Sequence, residues 1–403
     1  MRGFAQRSTV DEALAWLRPQ WQRLEEEVVP VADAHDRVLA RAIESGLDVP
    51  QFRRAMMDGF AVVASDTQGA TAYNRLTLNV IGEAWPGRPF AGHVESGSAV
   101  KIMTGAPLPK GANAVLPVEE TETIGDQVAL LGEVPAEKHV GRVGEDIDAG
   151  STVLAAGRCL RPQDLGVLSS IAMAQVPVVR RPRVRIVVTG NELLPAGSRP
   201  GPYEIVDANG PMLTALIERD GGEAVYPGIV PDDREAITAA LTDDCDVVLV
   251  SGGSSVGQED FVPLLLAEQG ELAIHGIAMR PSSPAGMGRL GPRLVFLLPG
   301  NPVSCLCAYD FFAGPTIRAL GGRSTDWPYL RKRLKLARKL VSVVGRVDYA
   351  RVAINEDDEV EPLAISGASI LSSTTRADGF VIVPGDSEGS GPGSEVEVFL
   401  YDR

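Results

Sequence analysis

The feature that most constrains the fold is a regular alternation of apolar runs and amphipathic segments between residues 184 and 320. The predicted strands are the runs VRIVVTG, EAVYPGIV, DVVLVSGG and RLVFLLPGN. The predicted helices follow them in turn, over NGPMLTALIERDGG, DDREAITAALTD, EDFVPLLLAEQG and PVSCLCAYDFFAGPTIRAL. Strands that are apolar on both faces are typical of a parallel sheet covered by helices on each side. The sequence therefore predicts a doubly wound α/β domain over this stretch.

The segments outside this stretch have other patterns. Thr9 and Glu12 form a capping box, and apolar residues follow it at helical spacing, at Leu14, Leu17, Trp21 and Leu24. A second helix is predicted over DAHDRVLARAIES, which ends at Gly46 and has on one side Ala34, Val38, Leu39 and Ile43. A third begins near Pro162, with the buried stripe Leu165, Leu168 and Ile171. Short β-type runs fill residues 48–145 and the segment after residue 326.

Length, charge and cysteine usage limit the possible classes of protein. A chain of 403 residues is too long for one core, so several domains are expected. The net charge of −15 argues against sequence-independent binding of nucleic acid, and the basic run at residues 330–340 is better interpreted as an element with one solvated face. Cys305 and Cys307 suit core packing in a reducing compartment. The chain has no membrane-length apolar run or signal peptide, so a cytoplasmic protein is expected.

The loops after the predicted strands share a composition of Gly, Ser, Pro, Asn and acids. They are T-G-N-E from Thr189, P-D-D from Pro231, S-G-G-S-S-V-G-Q-E-D from Ser251, and P-G-N-P-V-S from Pro299. Ligands of doubly wound sheets bind beyond the carboxyl ends of the strands, so these loops are expected to form one rim.

Glycines and acids in these loops predict a phosphate site that contains a divalent cation. Close backbone approach at the glycines suits an anion, and the glycines concerned are Gly252, Gly253 and Gly257. The acids would repel a bare phosphate unless Mg²⁺ lies between them, and the predicted metal ligands are Glu192, Asp232 and Asp260. Neither a Walker A loop nor a dinucleotide fingerprint is present.

Each of these residues also has a purely structural interpretation. Asp232 could cap the helix that follows it, and Asp260 could complement a helix dipole. Ser254 and Ser255 could be ordinary turn residues. Two further segments, Met57–Val63 and Lys101–Pro109, could be turns, or could reach the rim by folding or from a second subunit.

Seven motifs in order along the chain resemble those of the molybdopterin molybdenumtransferase (MoeA) family, which includes the gephyrin E domain. They are M-D-G-F-A-V, I-M-T-G-A-P-L-P, V-G-E-D-I, L-R-P-Q-D-L-G-V-L, T-G-N-E-L, S-G-G-S-S-V-G and L-P-G-N-P-V-S. The resemblance implies a multi-domain α/β plus β fold in four parts. These are a split helical domain (residues 1–47 and 146–180), an inserted β domain (48–145), a molybdopterin-binding α/β domain (181–325) and a C-terminal β-barrel-like domain (326–403).

The resemblance also implies a reaction and an assembly. Adenylylated molybdopterin and molybdate are the implied substrates, and cleavage of the pyrophosphate link with Mg²⁺ would release AMP and molybdenum cofactor. The implied assembly is a homodimer whose cleft is shared between subunits. Molybdopterin adenylyltransferase and apo-molybdoenzymes are further possible partners.

Site residues follow from the matching motifs. The predicted catalytic residues are Asp58, Thr104, Asp146, Glu192, Asp232 and Asp260. The predicted cofactor contacts are Thr189, Gly190, Ser251, Gly252, Gly253, Ser254, Ser255, Gly257, Arg280, Pro299, Gly300, Asn301, Pro302, Ser304 and Arg351. The chain departs from the family's K-P-G-K-P, since it has R-P-S-S-P from Arg280 to Pro284, and Ala368, with Ser369 beside it, replaces a frequent serine.

Three functions are consistent with these residues. The first is a molybdenum insertase, and the second is a divergent paralogue that uses another oxyanion such as tungstate, or only binds and delivers cofactor. The third is a scaffold without catalysis, against which the retained acids argue.

Overall fold

The computed structural model describes residues 7–252, 261–364 and 367–401. The chain divides into two compact units, which are described separately below. The first comprises Met1–Val28, Asp36–Ala40 and Pro177–Arg403, and the second comprises Val29–His35 and Arg41–Val176. The strands Glu26–Pro30 and Gln175–Val179 lie where the chain passes from one unit to the other. Within the described ranges, no helix is long and apolar enough to cross a membrane.

A seven-stranded sheet forms the centre of the first unit. Its order is Glu223–Val225, Arg183–Thr189, Val247–Ser251, Arg293–Leu298, Gly286–Leu290 and Glu271–His275, with Ile229–Val230 also paired to Arg183–Thr189. The first four of these strands and Ile229–Val230 run parallel, whereas Gly286–Leu290 pairs antiparallel with both of its neighbours, Arg293–Leu298 and Glu271–His275. The sequence prediction omitted the last two strands, Gly286–Leu290 and Glu271–His275. Glycine hides the strand pattern there, and Gly288 packs so closely on the Glu271 carbonyl that a Cβ would lie 1.9 Å from it.

Side chains of the central strands alternate between two apolar cores, as the predicted doubly wound fold requires. In Val247–Ser251, Val247 and Leu249 belong to one core, and Val248 and Val250 belong to the other. Helix residues complete each layer: Leu213 and Ile317 on one face, Ile237 and Leu265 on the other. The sheet is therefore covered on both faces, which confirms the predicted fold class.

The helices of the first unit lie close to their predicted positions, except that the first ends before two of its predicted apolar residues, Trp21 and Leu24. They are Val10–Leu17, Asn209–Arg219, Arg234–Leu241, Phe261–Gln269, Pro302–Ala308 and Gly314–Leu320, with a 3-10 turn at Arg18–Gln20 and a π turn at Tyr309–Ala313. The Thr9 side chain accepts from the Glu12 amide and the Glu12 carboxylate accepts from the Thr9 amide, so the predicted capping box is confirmed. The predicted strand at residues 223–230 is interrupted between Glu223–Val225 and Ile229–Val230.

The C-terminal part of the first unit contains a six-stranded sheet. Its order is Met279–Arg280, Val347–Ile354, Gly379–Val383, Glu395–Leu400 and Leu330–Lys335, with Val360–Ala364 also paired to Val347–Ile354. The same part of the unit also has two short strands that pair with each other, Leu340–Val341 and Gly389–Ser390, and a short helix, Ser372–Thr375. The basic run forms the strand Leu330–Lys335, in which only Leu334 is buried. This agrees with the predicted element with one solvated face.

The second unit is built on another six-stranded sheet. Its order is Ala114–Pro117, Gly59–Val62, Ser98–Ile102, Leu76–Ala84, Gln127–Leu130 and Thr121–Ile124. Short strands occur at Ile43–Glu44, Arg54–Ala55, Val140–Gly141 and Thr152–Leu154, and 3-10 turns at Val31–Asp33, Ala64–Thr67 and Val118–Glu120. The helix Pro162–Ser170 is present as predicted, with Leu168 and Ile171 buried.

The second predicted helix, over residues 33–45, is wrong. Asp36 has a φ of 62°, which interrupts helical geometry, and the chain continues in extended form. Leu39 pairs with Val178, and Ile43 pairs with Leu154. The apolar residues Val38, Leu39 and Ile43 are buried as predicted, but strand pairing buries them instead of helix packing.

Candidate functional site

Three adjacent parallel strands of the first unit end at one cavity of ≈ 480 Å³. Thr189 and Ser251 are the last residues of their strands, and Gly300 lies just beyond the third. This is the edge at which α/β sheets bind ligands. The cavity is lined by Val188, Thr189, Glu192, Leu193, Ile205, Val206, Asp207, Ala208, Asn209, Ser251, Gly252, Gly300, Asn301, Pro302 and Ser369.

Several predicted site residues therefore come together. Those on the cavity wall are Thr189, Glu192, Ser251, Gly252, Gly300, Asn301 and Pro302. Gly190 lies beside the wall, because a Cβ on it would be 2.8 Å from a carboxylate oxygen of Glu192. The predicted residues Gly253, Ser254, Ser255, Gly257 and Asp260 lie outside the described residues.

Glycine is required at position 252 for two reasons. Its φ is +102°, and a Cβ there would lie 2.2 Å from the carbonyl oxygen of Thr189. The backbone of Gly300 is also close, since a Cβ on it would be 3.7 Å from the Cα of Gly252. Backbone without side chains thus forms this part of the cavity wall. The prediction that a phosphate approaches the backbone closely requires such a surface.

The two predicted metal ligands that the structure describes lie at the edge of the sheet. Glu192 is exposed on the cavity wall. Asp232 is half-buried, and the Thr189 hydroxyl donates to its Oδ1 at 3.2 Å. The alternative in which Asp232 caps the next helix is wrong, because Asp233 is the N-cap and accepts from the Glu235 amide at 2.9 Å. Asp232 is therefore available for another role.

A second cavity of ≈ 330 Å³ shares Asn301 with the first. It contains the R-P-S-S-P segment, together with predicted residues Pro299 and Ser304. The Ser282 hydroxyl donates to the carbonyl oxygen of Ser304. The Ser283 hydroxyl is buried and has no hydrogen-bond partner among the described residues. Arg280 lines the same cavity, so the R-P-S-S-P segment brings one cation and one hydroxyl to its wall.

Arg351, a predicted cofactor contact, has a different environment. It lies in the strand Val347–Ile354, is fully buried, and lines neither cavity. Its role in binding stays a prediction. Cys305 and Cys307 are fully buried as expected for packing residues, and burial raises the pKa of the Cys305 thiol to about 12 and raises the pKa of the Cys307 thiol well above its ordinary value.

Asp58, Thr104 and Asp146 belong to the second unit. The backbone amide and the hydroxyl of Thr104 both donate to Asp58 Oδ1, at 2.8 and 2.6 Å. Both bonds lower the pKa of Asp58, and the bond from the hydroxyl has the larger effect. The structure thus joins the M-D-G and M-T-G motifs into one exposed pair. Asp146 is also exposed, and its amide donates to the Val49 carbonyl at 3.0 Å.

The wall of the first cavity also contains residues that the sequence did not identify. Asp207 and Asn209 are the most polar of these, and both are buried. The sequence interpretation treated Asn209 only as the start of a helix. A usable signal was present, since D-A-N-G follows the short strand Ile205–Val206 and precedes the helix Asn209–Arg219, as the other rim loops follow their strands.

Known domain families match most of the chain. Residues 8–172 match the MoeA N-terminal region (domain I and II), and residues 185–319 match the family described as "Probable molybdopterin binding domain". Residues 333–401 match the MoeA C-terminal region (domain IV).

Whole proteins and solved structures show the same similarity. Molybdopterin molybdenumtransferase 2 of Mycobacterium tuberculosis is 33% identical over 92% of this chain and 94% of the relative. Molybdopterin molybdenumtransferase of Haemophilus influenzae is 32% identical over 94% of each chain. A crystal structure of the molybdopterin biosynthesis MoeA protein from Pyrococcus horikoshii has a TM-score of 0.84 at 33% identity, and covers 99% of this chain and 100% of that one.

Proposed function

This chain belongs to the MoeA family, and from that membership we propose that it is a molybdopterin molybdenumtransferase acting in molybdenum cofactor biosynthesis. In the proposed reaction, molybdenum from molybdate is inserted into adenylylated molybdopterin and AMP is released. The names of the relatives support the insertase, the first of the three functions considered for the sequence. No observation favours the use of another oxyanion or a scaffold role.

The observation that carries the proposal is the first cavity. Its volume of ≈ 480 Å³ is within the range of small-molecule sites. Bare backbone at Gly252 and Gly300 provides room for a phosphate group, and the hydroxyls of Thr189 and Ser251 lie at the ends of the adjoining strands. Apolar residues such as Leu193 and Ile205 form other parts of the wall. A substrate with both phosphates and aromatic rings matches this combination.

The oxygen donors at the edge of the sheet fit Mg²⁺. This ion keeps several waters and needs only one or two carboxylates in addition to substrate phosphates. Glu192 and Asp232 would supply those carboxylates, and the bond from Thr189 orients Asp232. No group of three or more potential metal-ligating side chains occurs in the part of the chain that the structure describes. The third predicted ligand, Asp260, lies outside that part. When bound, Mg²⁺ would supply positive charge at the pyrophosphate as a Lewis acid.

The second cavity is the proposed place of the oxyanion. Arg280 would supply the charge, and the unpartnered hydroxyl of Ser283 would donate a hydrogen bond. The cavity adjoins the first through Asn301. Molybdate held there would be next to the bound pterin, so that capture and insertion could follow each other without release.

The active enzyme is proposed to be a homodimer with an active site shared between subunits. Asp58 is exposed, and beside it along the chain are exposed apolar residues that a partner surface would cover: Phe52 (45%), Met56 (53%) and Met57 (36%). Exposed apolar residues of this size mark interaction surfaces when they cluster. We place the enzyme in the cytoplasm, with molybdopterin adenylyltransferase as the source of substrate and apo-molybdoenzymes as recipients.

The test is release of AMP by the purified chain. Adenylylated molybdopterin, molybdate and Mg²⁺ are incubated with the protein, AMP is measured by chromatography, and an apo-molybdoenzyme reports the finished cofactor. Parallel reactions lack molybdate or contain EDTA. We expect AMP release and reconstitution only in the complete mixture. Absence of AMP under those conditions would contradict the proposal.

A further inference from the structure

The side-chain amide of Asn209 connects two loops of the first cavity. Its Nδ2 donates to the Ser251 hydroxyl at 2.8 Å and to the Gly300 carbonyl at 2.7 Å. The residue is only 6% exposed and lies on the cavity wall. Both protons of the amide are therefore used in holding the ends of neighbouring strands together.

These bonds determine which way the amide faces. The Gly300 carbonyl can only accept a hydrogen bond, so Nδ2 and not Oδ1 must face it. Asn209 Oδ1 is consequently left buried, with no hydrogen-bond partner among the residues that the structure describes. A buried acceptor without a donor is costly, and because Asn209 lines the cavity, a donor group on a bound ligand would satisfy it.

Hydrogen bonds to Asp207 hold the backbone around Asn209 in place. The carboxylate of Asp207 accepts from the amides of Asn209 and Gly210, at 2.9 and 3.0 Å, and from the Tyr226 hydroxyl at 2.6 Å. Burial, and then the bond to Asp207, raise the pKa of Tyr226, so its hydroxyl stays a donor. Gly210 has no room for a side chain, since a Cβ would lie 2.4 Å from both Asp207 and Tyr226. Asn209 Oδ1 is thus a positioned acceptor on a rigid support.

The surroundings of this acceptor select the kind of donor. Molybdate and the phosphates of a pyrophosphate link carry no proton near neutral pH, so they act only as acceptors and cannot satisfy it. The wall also contains apolar side chains that suit the flat face of a ring, namely Val188, Leu193, Ile205, Val206 and Pro302. We propose that Asn209 is a specificity-determining residue whose Oδ1 accepts a hydrogen bond from the amino group of a fused aminopyrimidine ring. This rests on the proposed function, because the pterin and the adenine of its substrate both carry such an amine.

A thermodynamic cycle tests this contact with the full 403-residue chain. Calorimetry measures the Kd of two probe pairs: pterin with 2-desaminopterin, and AMP with purine riboside monophosphate, which lacks the amino group. The protein variants are Asn209→Ala and Asn209→Ser. Thr214→Val is the matched control, since Thr214 lies on the same helix but not on the cavity wall. Circular dichroism establishes that each variant is folded.

The expected result is selective. In the wild type and in Thr214→Val, loss of the amine weakens binding about 10-fold or more in one probe pair, because the buried acceptor is then left unpaired. In the Asn209 variants that factor falls below about 2-fold. If 2-desaminopterin binds more weakly than pterin, the pterin is the ring that contacts Asn209. If purine riboside monophosphate binds more weakly than AMP, that ring is the adenine.

Two results separate failure of this inference from failure of the proposed function. The contact does not exist if loss of the amine leaves the Kd unchanged in both probe pairs with the wild type. It also does not exist if loss of the amine weakens binding by the same factor in the wild type and in the Asn209 variants. The wild type can still release AMP from adenylylated molybdopterin in that case. If it releases none, the proposed function itself fails, whatever the probes show.

Discussion

Asp232 and Asp233 are neighbours in the sequence, yet they have different partners in the structure. Asp233 accepts the Glu235 amide and begins a helix, whereas Asp232 accepts the Thr189 hydroxyl at the edge of the central sheet. The difference in direction of two adjacent carboxylates separates a stabilising role from a candidate metal-binding role. No property of the two side chains themselves distinguishes these roles.

Substitution of each aspartate should therefore have a different effect. Asp233→Ala removes the cap, and should lower the free energy of unfolding by about 0.5–2 kcal/mol while AMP release is retained. Asp232→Ala should lower AMP release by about 10- to 100-fold, the usual effect of disturbing a metal site, with a smaller loss of stability. Urea unfolding and the AMP assay measure the two effects. Equal loss of activity in both variants would be contrary to this assignment.

Asp58 and Thr104 are also separated in the sequence but joined by hydrogen bonds. Thr104→Val removes the hydroxyl donor and keeps the backbone one, so the pKa of Asp58 should rise part of the way towards its ordinary value of 3.8. NMR titration of the Asp58 carboxyl measures this pKa. Thr121→Val is the control, because its hydroxyl bonds the Val118 carbonyl in the same unit. An unchanged titration of Asp58 in Thr104→Val would refute the contact.

At the scale of elements, Asp164 both caps the helix Pro162–Ser170 and binds two arginines. It accepts from Arg158 at 2.9 and 2.8 Å and from the Arg161 amide at 2.9 Å, and it is 3% exposed. The hydrogen bonds from Arg158 are the main cause that lowers its pKa, well below the ordinary 3.8. A lowered folded pKa means that this carboxylate stabilises the protein above pH 3.8 and that the stabilisation is lost as the pH falls through the folded value.

Asp164→Asn should therefore change the acid dependence of stability. At pH 5 the variant should be less stable than the wild type by about 1.5–3 kcal/mol, the range for hydrogen bonds to charged groups. The difference should shrink as the pH falls from 4 towards 2, because only the wild type has a carboxyl at this position, and its unfolded state takes up the proton first. Denaturant unfolding at several pH values measures it, with the exposed Asp126→Asn as control. A difference that is constant with pH would count against the assigned ion pairs.

Elements were predictable where local pattern decides them. The capping box at Thr9 and the apolar strand Val247–Ser251 form as expected, because caps and apolar runs depend on neighbours along the chain. The region over residues 33–45 has helical spacing but forms extended pairs, since Leu39 and Ile43 find distant strand partners. Pairing with a remote strand outweighs a weak local helical preference.

At the scale of the whole molecule, the predicted catalytic residues fall in both compact units. Glu192 and Asp232 belong to the first unit, and Asp58 and Thr104 to the second. Each unit has its own apolar core, around Val247 and Leu249 in the first and around Phe60 in the second. The proposed sharing of the active site between subunits is one way in which residues of both units could act on one substrate.

Subunit complementation tests that proposal. Asp58→Ala and Asp232→Ala are each expected to retain about a tenth of wild-type AMP release or less. Co-expressed, they should recover about a quarter of wild-type AMP release, because about half of randomly assembled C2 dimers are mixed and one of their two sites is intact. Glu192→Ala with Asp232→Ala is the control pair, and should not recover, since both residues lie in the same unit. Lack of recovery in the first pair would exclude a shared site in an exchanging dimer.

The sequence by itself determined the doubly wound α/β domain, the rim loops and the family, because periodicity, caps and motifs are properties of neighbouring residues. Only the tertiary structure decided that Arg351 is buried, that the strand Gly286–Leu290 of the central sheet runs antiparallel to its neighbours, and that Asn209 joins Ser251 to Gly300. The last contact spans 91 positions. Such contacts depend on which distant residues folding brings within hydrogen-bond distance, and a buried acceptor is recognised only when all of its neighbours are known.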